Sequence, residues 1–406
     1  MIGTKVFDVL LLIALALIFA RVIGYLFYRF KQPAVLGEIV AGIILGGLAI
    51  IFFSGNSFII FGHQIVFSSL DYSSPEFEFV AEIGILFLLF ISGLEISTSK
   101  LKKMEKASLL VAIGGVLLPL VLGFLSGILF DFSIQESVII GIILTATSVG
   151  VTVRTLMDLH VIDTDASATI IGGAVFDDII GIILLTFVIG IGSIMDAVWI
   201  GVRIALFFII FLYLGLKIID KILKLGEKIK LPKAFLSISL AILLLYAFFA
   251  DRAGIAGIIG AFVAGVLIGQ SVASKKIGEE VKIIGYGFFI PIFFVWVGAI
   301  LWEGEIGDIS LIFEIGIFTI LIIIVSIIGK ILGCGICAKI AGLSNRESLQ
   351  VGVGMVPRME LALIIATAAI SRGQITGFHA HQILVTTILL TVITTFISPF
   401  LIKATL

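Results

Sequence analysis

Charge is the first thing this sequence is short of: Asp, Glu, Lys and Arg together make up 13% of its 406 residues. Soluble domains carry about 25%. With 60% hydrophobic residues and a mean hydropathy of +1.31, the chain falls outside the soluble globular class and among polytopic membrane proteins. Cysteine is scarce as well. Cys334 and Cys337 form a C-x-x-C inside an apolar helical pattern without flanking histidine, so they read as small apolar residues and not as a metal or redox site. The four histidines, His63, His160, His379 and His381, fall in or near loops and form no convincing ligand set for a catalytic metal. No set of residues suggests a covalent nucleophile either, so enzymatic chemistry is not expected. A net charge of -1 with no long basic run leaves nothing to grip phosphates, which sets nucleic-acid binding aside. The run from Val6 to Ile23 lacks the basic n-region and small-residue cleavage site of a signal peptide, and so reads as a first membrane helix.

What the chain has in quantity is apolar runs of about 20 residues, the length that spans a bilayer as a helix. Charged or glycine/proline breaks divide them into thirteen candidate helices, 4-29, 33-53, 75-97, 104-130, 134-157, 165-191, 195-224, 232-252, 254-271, 277-302, 309-341, 345-372 and 377-404. The thinnest break is Asp251-Arg252-Ala253-Gly254; without it there would be twelve. Cytoplasmic loops collect Lys and Arg. With the N-terminus outside, the cytoplasmic side receives Arg29, Lys31, the lysines from Lys100 to Lys106, Arg154, those from Lys217 to Lys233, Lys275, Lys276, Lys282, Lys339, Arg346 and Lys403. The opposite side receives only Lys5, Arg252 and Arg372. This predicts a multi-pass cell-membrane protein with its N-terminus outside and its C-terminus cytoplasmic. Arg21, Arg203, Lys330 and Arg358 are left within membrane spans.

An internal repeat is visible. Gly37-x-x-Val40-Ala41-Gly42-x-x-x-Gly46 in the second helix matches Gly260-x-x-Val263-Ala264-Gly265-x-x-x-Gly269 in the ninth. Helices seven apart in the order cross in opposite directions, so the repeat is an inverted one, as in transporters that alternate access around a midplane site. Its halves are 1-191, helices one to six, and 232-406, helices eight to thirteen, with helix seven, 192-231, as the linker. Small residues at this spacing also serve plain helix packing. Corresponding broken helices are then expected in the fifth and twelfth positions. The fifth carries Thr145-Ala146-Thr147-Ser148-Val149-Gly150-Val151-Thr152, whose hydroxyls and glycine suit an unwound stretch facing a cavity. The twelfth carries Gly352-Val353-Gly354-Met355-Val356-Pro357-Arg358-Met359-Glu360, where proline removes a backbone donor.

The sharpest feature is the pair Asp177-Asp178 in the middle of the apolar run Ala166 to Ile191. A charged Asp at the centre of a membrane helix costs about 2.5 to 3.5 kcal/mol, and neighbours about 100° apart on a helix cannot share one partner. Lys330, near the middle of the eleventh helix, needs a carboxylate at its own depth, and either aspartate would serve. The other is then left to bind a small cation or a proton. A carboxylate partly withdrawn from water offers the same oxygens to a proton and to a hard cation such as sodium, and competition at one site exposed alternately to each side suffices for antiport. Arg358 and Glu360 flank the second break and could satisfy unwound backbone or pair with other buried charges. Glu38 and Glu95 read as interfacial, and Glu82 as a partner for Arg358 or Arg21.

The segments Lys31-Gln32-Pro33 through Gly37-Glu38 to Ala41-Gly42, Ala81-Glu82-Ile83-Gly84 through Ser92-Gly93-Leu94-Glu95, Gly173-Ala174-Val175-Phe176-Asp177-Asp178 and Gly354-Met355-Val356-Pro357-Arg358 resemble the monovalent cation:proton antiporters, and among them the NapA-like sodium/proton antiporters. The resemblance covers essentially the whole chain. It implies an all-α fold of thirteen transmembrane helices, an inverted repeat with two crossed discontinuous helices, and a homodimer. The core would be helices three to six and ten to thirteen, with a dimerisation domain from the rest. It further implies that Asp178 carries the ion and the proton, that Asp177 pairs with Lys330, and that Thr147 and its neighbours form the helix crossing in the core; Thr147, Ser148, Thr152, Pro357, Arg358 and Glu360 are the cavity and unwound-helix candidates. A double aspartate with a membrane lysine goes with electrogenic exchange in this family. Potassium-efflux relatives usually carry Gln-Asp at that place. The expected activity is therefore sodium or lithium exchange for protons by elevator-like alternating access, with transported sodium and protons as substrates and no cofactor. The rivals are potassium/proton exchange and a channel or non-transporting membrane sensor.

Overall fold

The computed structural model describes residues 2-30, 32-53, 57-60, 63-66, 72, 74-188, 194-228, 231, 233-271, 274-299, 309-358 and 360-406. The chain divides into two compact units, one of residues 1-88 and 281-308 and the other of 89-280 and 309-406. Eight helices among the described residues are long and apolar enough to cross a membrane, and shorter apolar helices accompany them.

The first unit holds α1 (Ile2-Arg29), α2 (Ala34-Phe53), the greater part of α3 (Pro75-Glu95) and α13 (Ile290-Ala299). Between α2 and α3 lies the one sheet among the described residues, a two-stranded antiparallel hairpin, β1 (Ser57-Ile60) and β2 (His63-Val66), in which Ser57 pairs with Val66 and Ile60 with His63. The unit's core gathers Leu12, Ala16, Ala41, Leu45, Phe77, Ile292 and Val295. Glu38, expected at an interface, is instead buried (1% exposed). α2 begins immediately after Pro33 and approaches α1 closely at Gly24 and Gly37, so its first turns are covered.

The second unit holds α4 (Thr98-Leu129), α5 (Ile134-Ile143), α6 (Val149-Asp158), α7 (Asp165-Val188), α8 (Ile194-Phe207), α9 (Tyr213-Lys228), α10 (Ala234-Arg252), α11 (Gly257-Gly269) and most of α12 (Ser274-Ile284). It is completed by α14 (Ile309-Ile340), α15 (Asn345-Gly354), α16 (Glu360-Ser371) and α17 (Gly377-Thr405). A π-helical turn, Phe208-Leu212, joins α8 to α9, and the Tyr246 hydroxyl donates to the Phe211 carbonyl inside it at 2.9 Å. The doubtful break after Asp251-Arg252 is real: the chain leaves α10 through Gly254 at φ 84°, a conformation that suits glycine, and restarts at Gly257. α4 packs along both α7 and α14, which brings the runs carrying Asp177 and Lys330 together.

Glycine contacts repeat themselves between the halves. A side chain on Gly42 would overlap the Val295 carbonyl and one on Gly298 the Ile39 carbonyl. In the other unit a side chain on Gly265 would overlap the Phe90 carbonyl and one on Gly93 the Phe262 carbonyl. The motif that aligns Gly42 with Gly265 also aligns Ile39 with Phe262, so the two close crossings are the same contact made twice.

A second repeat lies in the broken helices. α5 and α15 are each 10 residues long, and each begins with a capping box. The Ser133 and Ser344 hydroxyls accept from the Glu136 and Glu347 N-H groups, while the two glutamates accept from the Ser133 and Ser344 N-H groups at 2.9 Å. The wording beneath is shared: Ser133-x-x-Glu136-Ser137-x-x-x-Gly141 and Ser344-x-x-Glu347-Ser348-x-x-x-Gly352. A serine cap removed from a helix costs about 0.5 to 2 kcal/mol. Ser133→Ala and Ser344→Ala are therefore each expected to lower the unfolding midpoint of purified protein by a comparable amount. The effects should add in the double variant, the boxes lying on separate helices; a thermal melt of the four proteins checks this.

Loop contacts follow the alternation inferred from the lysines. Lys100 and Lys103, entering α4, pair with Asp163 at 3.0 Å and Asp165 at 2.5 Å, entering α7. Lys233 before α10 pairs with Glu280 at 2.7 Å, and Arg346 donates to the Thr405 carbonyl at 3.2 Å. At the starts of α5 and α17, Glu136 meets His379 at 3.1 Å. Arg154, near the end of the expected helix 134-157, lies in α6, 5% exposed, with Asp158 3.0 Å away.

Candidate functional site

α7 carries Asp177 and Asp178 into the interior, where they are 2% and 6% exposed. Lys330, fully buried on α14, donates from Nζ to Asp177 Oδ2 at 3.1 Å and Oδ1 at 3.3 Å. Of the two possible partners it takes the first, because one residue's step along a helix turns the side chain by about 100°. Asp178 lines a cavity of about 10 Å³, together with Leu89, Val149, Ile171, Val175, Ile258, Ile259 and Phe262. That is about the room one water needs. Burying an ion pair is costly unless both members are well placed, and a lysine held against both oxygens of one carboxylate meets that condition.

Two helix breaks lie in the same unit. α5 ends at Ile143 and α6 starts at Val149; α15 ends at Gly354 and α16 starts at Glu360. They are bound to each other directly. The Ser148 N-H donates to the Pro357 carbonyl at 2.8 Å, the Thr152 hydroxyl to the Gly354 carbonyl at 2.7 Å, and the Arg358 Nη1 to the Ala146 carbonyl. Arg358 is wholly buried. Its Nε and Nη2 donate to Ser326 Oγ at 3.1 and 3.0 Å, its own N-H to Thr394 Oγ1 at 3.1 Å, and its carbonyl accepts from Thr395 Oγ1 at 2.9 Å. The guanidinium thus satisfies a backbone carbonyl inside the break that follows α5. This accounts for one of the membrane-embedded cations. The side chain of Glu360 and the whole of Met359 lie outside the described residues.

Within the first break, Thr145 donates back to the Ile142 carbonyl at 2.8 Å. The Thr147 and Ser148 hydroxyls, 5% and 1% exposed, have no hydrogen-bond partner among the described residues. An unsatisfied buried hydroxyl costs about 1 to 3 kcal/mol. Both lie beside the break, and the next helix residue, Val149, lines the Asp178 cavity. Among the described residues no group of three or more His, Cys, Asp or Glu could hold a resident metal. Cys334 and Cys337 are both free thiols.

Ser326, Thr394 and Thr395 were not singled out by the sequence. Hydroxyls spaced through long apolar runs carry no periodic signal, and only the fold shows that they converge on Arg358.

The family described as sodium/hydrogen exchanger, transmembrane, matches residues 9-406. The Na(+)/H(+)-K(+) antiporter GerN of Bacillus cereus is 33% identical over 390 residues, 96% of this chain and 95% of the relative. The Na(+)/H(+) antiporter of Enterococcus hirae is 33% identical over 397 residues, 97% of this chain and 96% of the relative. Among solved structures, the sodium proton antiporter MjNhaP1 of Methanocaldococcus jannaschii superposes with a TM-score of 0.67 at 18% identity, covering 98% of this chain and 100% of that one. It carries the likeness of fold.

Proposed function

The chain belongs to the sodium/hydrogen exchanger family, and from that premise we propose that Asp178 is the carboxylate through which it exchanges sodium for protons. The protein is a membrane transporter and not an enzyme. What supports the assignment is the division of labour within the aspartate pair: Asp177 is engaged by Lys330, while Asp178 lines a water-sized cavity. A proton and a dehydrated sodium ion compete for the Asp178 oxygens. The Thr147 and Ser148 hydroxyls complete the shell of the cation when it is bound. When the proton replaces it, the site is neutral.

The transport cycle proposed is elevator-like. The core of the third to sixth and tenth to thirteenth helices carries the site from one side to the other, against a homodimeric scaffold built from the rest. Thr152, Pro357 and Arg358 tie the two breaks so that the site travels as a unit. The lysine-bearing loops face the cytoplasm and the N-terminus lies outside, in the cell membrane. Exchange is electrogenic when a second proton travels with the Lys330-Asp177 pair, two protons against one sodium ion; Asp178 alone would exchange one charge for one. The cycle needs no resident cofactor. A second reading, potassium/proton exchange, is favoured by one observation, the similarity to GerN.

Reconstituted vesicles holding a pH-gradient dye decide between the two. Sodium and lithium are expected to collapse the gradient at concentrations where potassium does not; a response to potassium alone would overturn the cation assignment.

A further inference from the structure

A second, larger cavity lies beside the Asp178 cavity in the same unit. It measures about 170 Å³ and is lined by Leu101, Glu105 and Ser108 on α4, Gly172, Val175 and Phe176 on α7, Phe208, and Phe262 and Val263 on α11. The two cavities have Val175 and Phe262 in common. Val175 precedes Asp178 by three residues, so both lie on one face of α7 with a rise of about 4.5 Å between them. Leu101 and Glu105 belong to the first two turns of α4, the end whose Lys100 and Lys103 pair with Asp163 and Asp165. The larger cavity therefore runs from the lysine-bearing end of the helices to within one helical turn of Asp178.

We propose that Val175 and Phe262, shared by the two cavities, are the partition where the cation sheds its water before reaching Asp178. The proposal rests on Asp178 being the exchanging carboxylate. The sizes support it. The outer cavity has room for an ion with its waters, and Glu105, the one carboxylate among its described lining residues, offers a counter-charge. The inner cavity holds about one water, so a cation crosses only with most of its shell removed. The wall between them consists of two apolar side chains with no hydrogen bonds to break, and an apolar constriction of this kind gates by dewetting. Phe262 is 6% exposed. Its backbone is fixed by the approach of Gly93 to its carbonyl, so opening is a matter of its ring and of Val175.

The test reads accessibility and not transport, which separates its failure from failure of the Asp178 assignment. In the full chain with Cys334→Ala and Cys337→Ala, single cysteines are introduced by Leu101→Cys, in front of the partition, and by Val149→Cys, behind it. Their modification by the cation 2-aminoethyl methanethiosulfonate is followed in purified protein by mass. Leu101→Cys is expected to react fast and Val149→Cys at least tenfold slower. Adding Phe262→Ala should accelerate Val149→Cys by about tenfold and leave Leu101→Cys unchanged. Val175→Ala, a smaller change, should act in the same direction and serves if Phe262→Ala does not fold. Equal rates for the two cysteines in the parent, or an unchanged Val149→Cys rate with both partition variants, would overturn the proposal.

Discussion

Asp178→Asn is expected to reduce sodium-driven proton movement in reconstituted vesicles to the level of protein-free vesicles. The amide keeps the shape of the carboxylate and loses both properties that exchange requires. It has no charge with which to replace the waters of a sodium ion, and it does not take up a proton in the physiological range. Its effect on folding should be small, because the substitution is isosteric and leaves the Asp177-Lys330 contact in place. The measurement is therefore paired: dye quenching in vesicles and a thermal melt of the same preparation. Lost exchange with a retained melting temperature is the expected pair of results. Exchange at the parent's rate would remove Asp178 from the centre of the mechanism.

Lys330→Ala is expected to act first on stability. It leaves Asp177, 2% exposed, without the ammonium that compensates its charge, and breaking a buried pair from one side costs about 3 to 5 kcal/mol. The control is the double variant Lys330→Ala/Asp177→Asn, in which no charge is stranded and most of the loss should be recovered. Melting curves of the parent, the two single variants and the double form a closed cycle. If the double variant is no more stable than Lys330→Ala, the two residues are not coupled and the contact has no energetic meaning. The rescued double variant also reports on charge movement: exchange that no longer responds to an imposed membrane potential would tie electrogenicity to this pair.

Much of the fold was legible in the sequence because a bilayer leaves few choices. Apolar runs of the right length and loop charges are sufficient to delimit helices, and even the thin break at Gly254 was visible. The internal breaks were readable from Thr145 to Thr152 and from Gly352 to Glu360, where hydroxyls, glycine and proline interrupt the apolar pattern. Which aspartate meets Lys330 came from the family resemblance and not from helix spacing, since the choice depends on the rotation of α7 about its own axis relative to α14, and that is fixed by packing along α4. Glu38 was misjudged for a related reason, because nearness to a helix start says nothing about a neighbour lying over it. The shared Ser133 and Ser344 signatures were present in the letters and passed over, overshadowed by the glycine motif of the second and ninth helices. The short hairpin between α2 and α3 left no alternating pattern long enough to stand out.

The hydrogen bonds that join the two helix breaks have a consequence for how such a chain can change over time. Ala146, Ser148 and Thr152 are each tied through backbone or side chain to Gly354, Pro357 or Arg358, more than two hundred positions away in the chain. A replacement that shifts the backbone on one side moves a partner on the other, so the two stretches should drift together in descent and not separately. Within an inverted duplication, these are the places where the two copies have ceased to be independent and have become one inherited character.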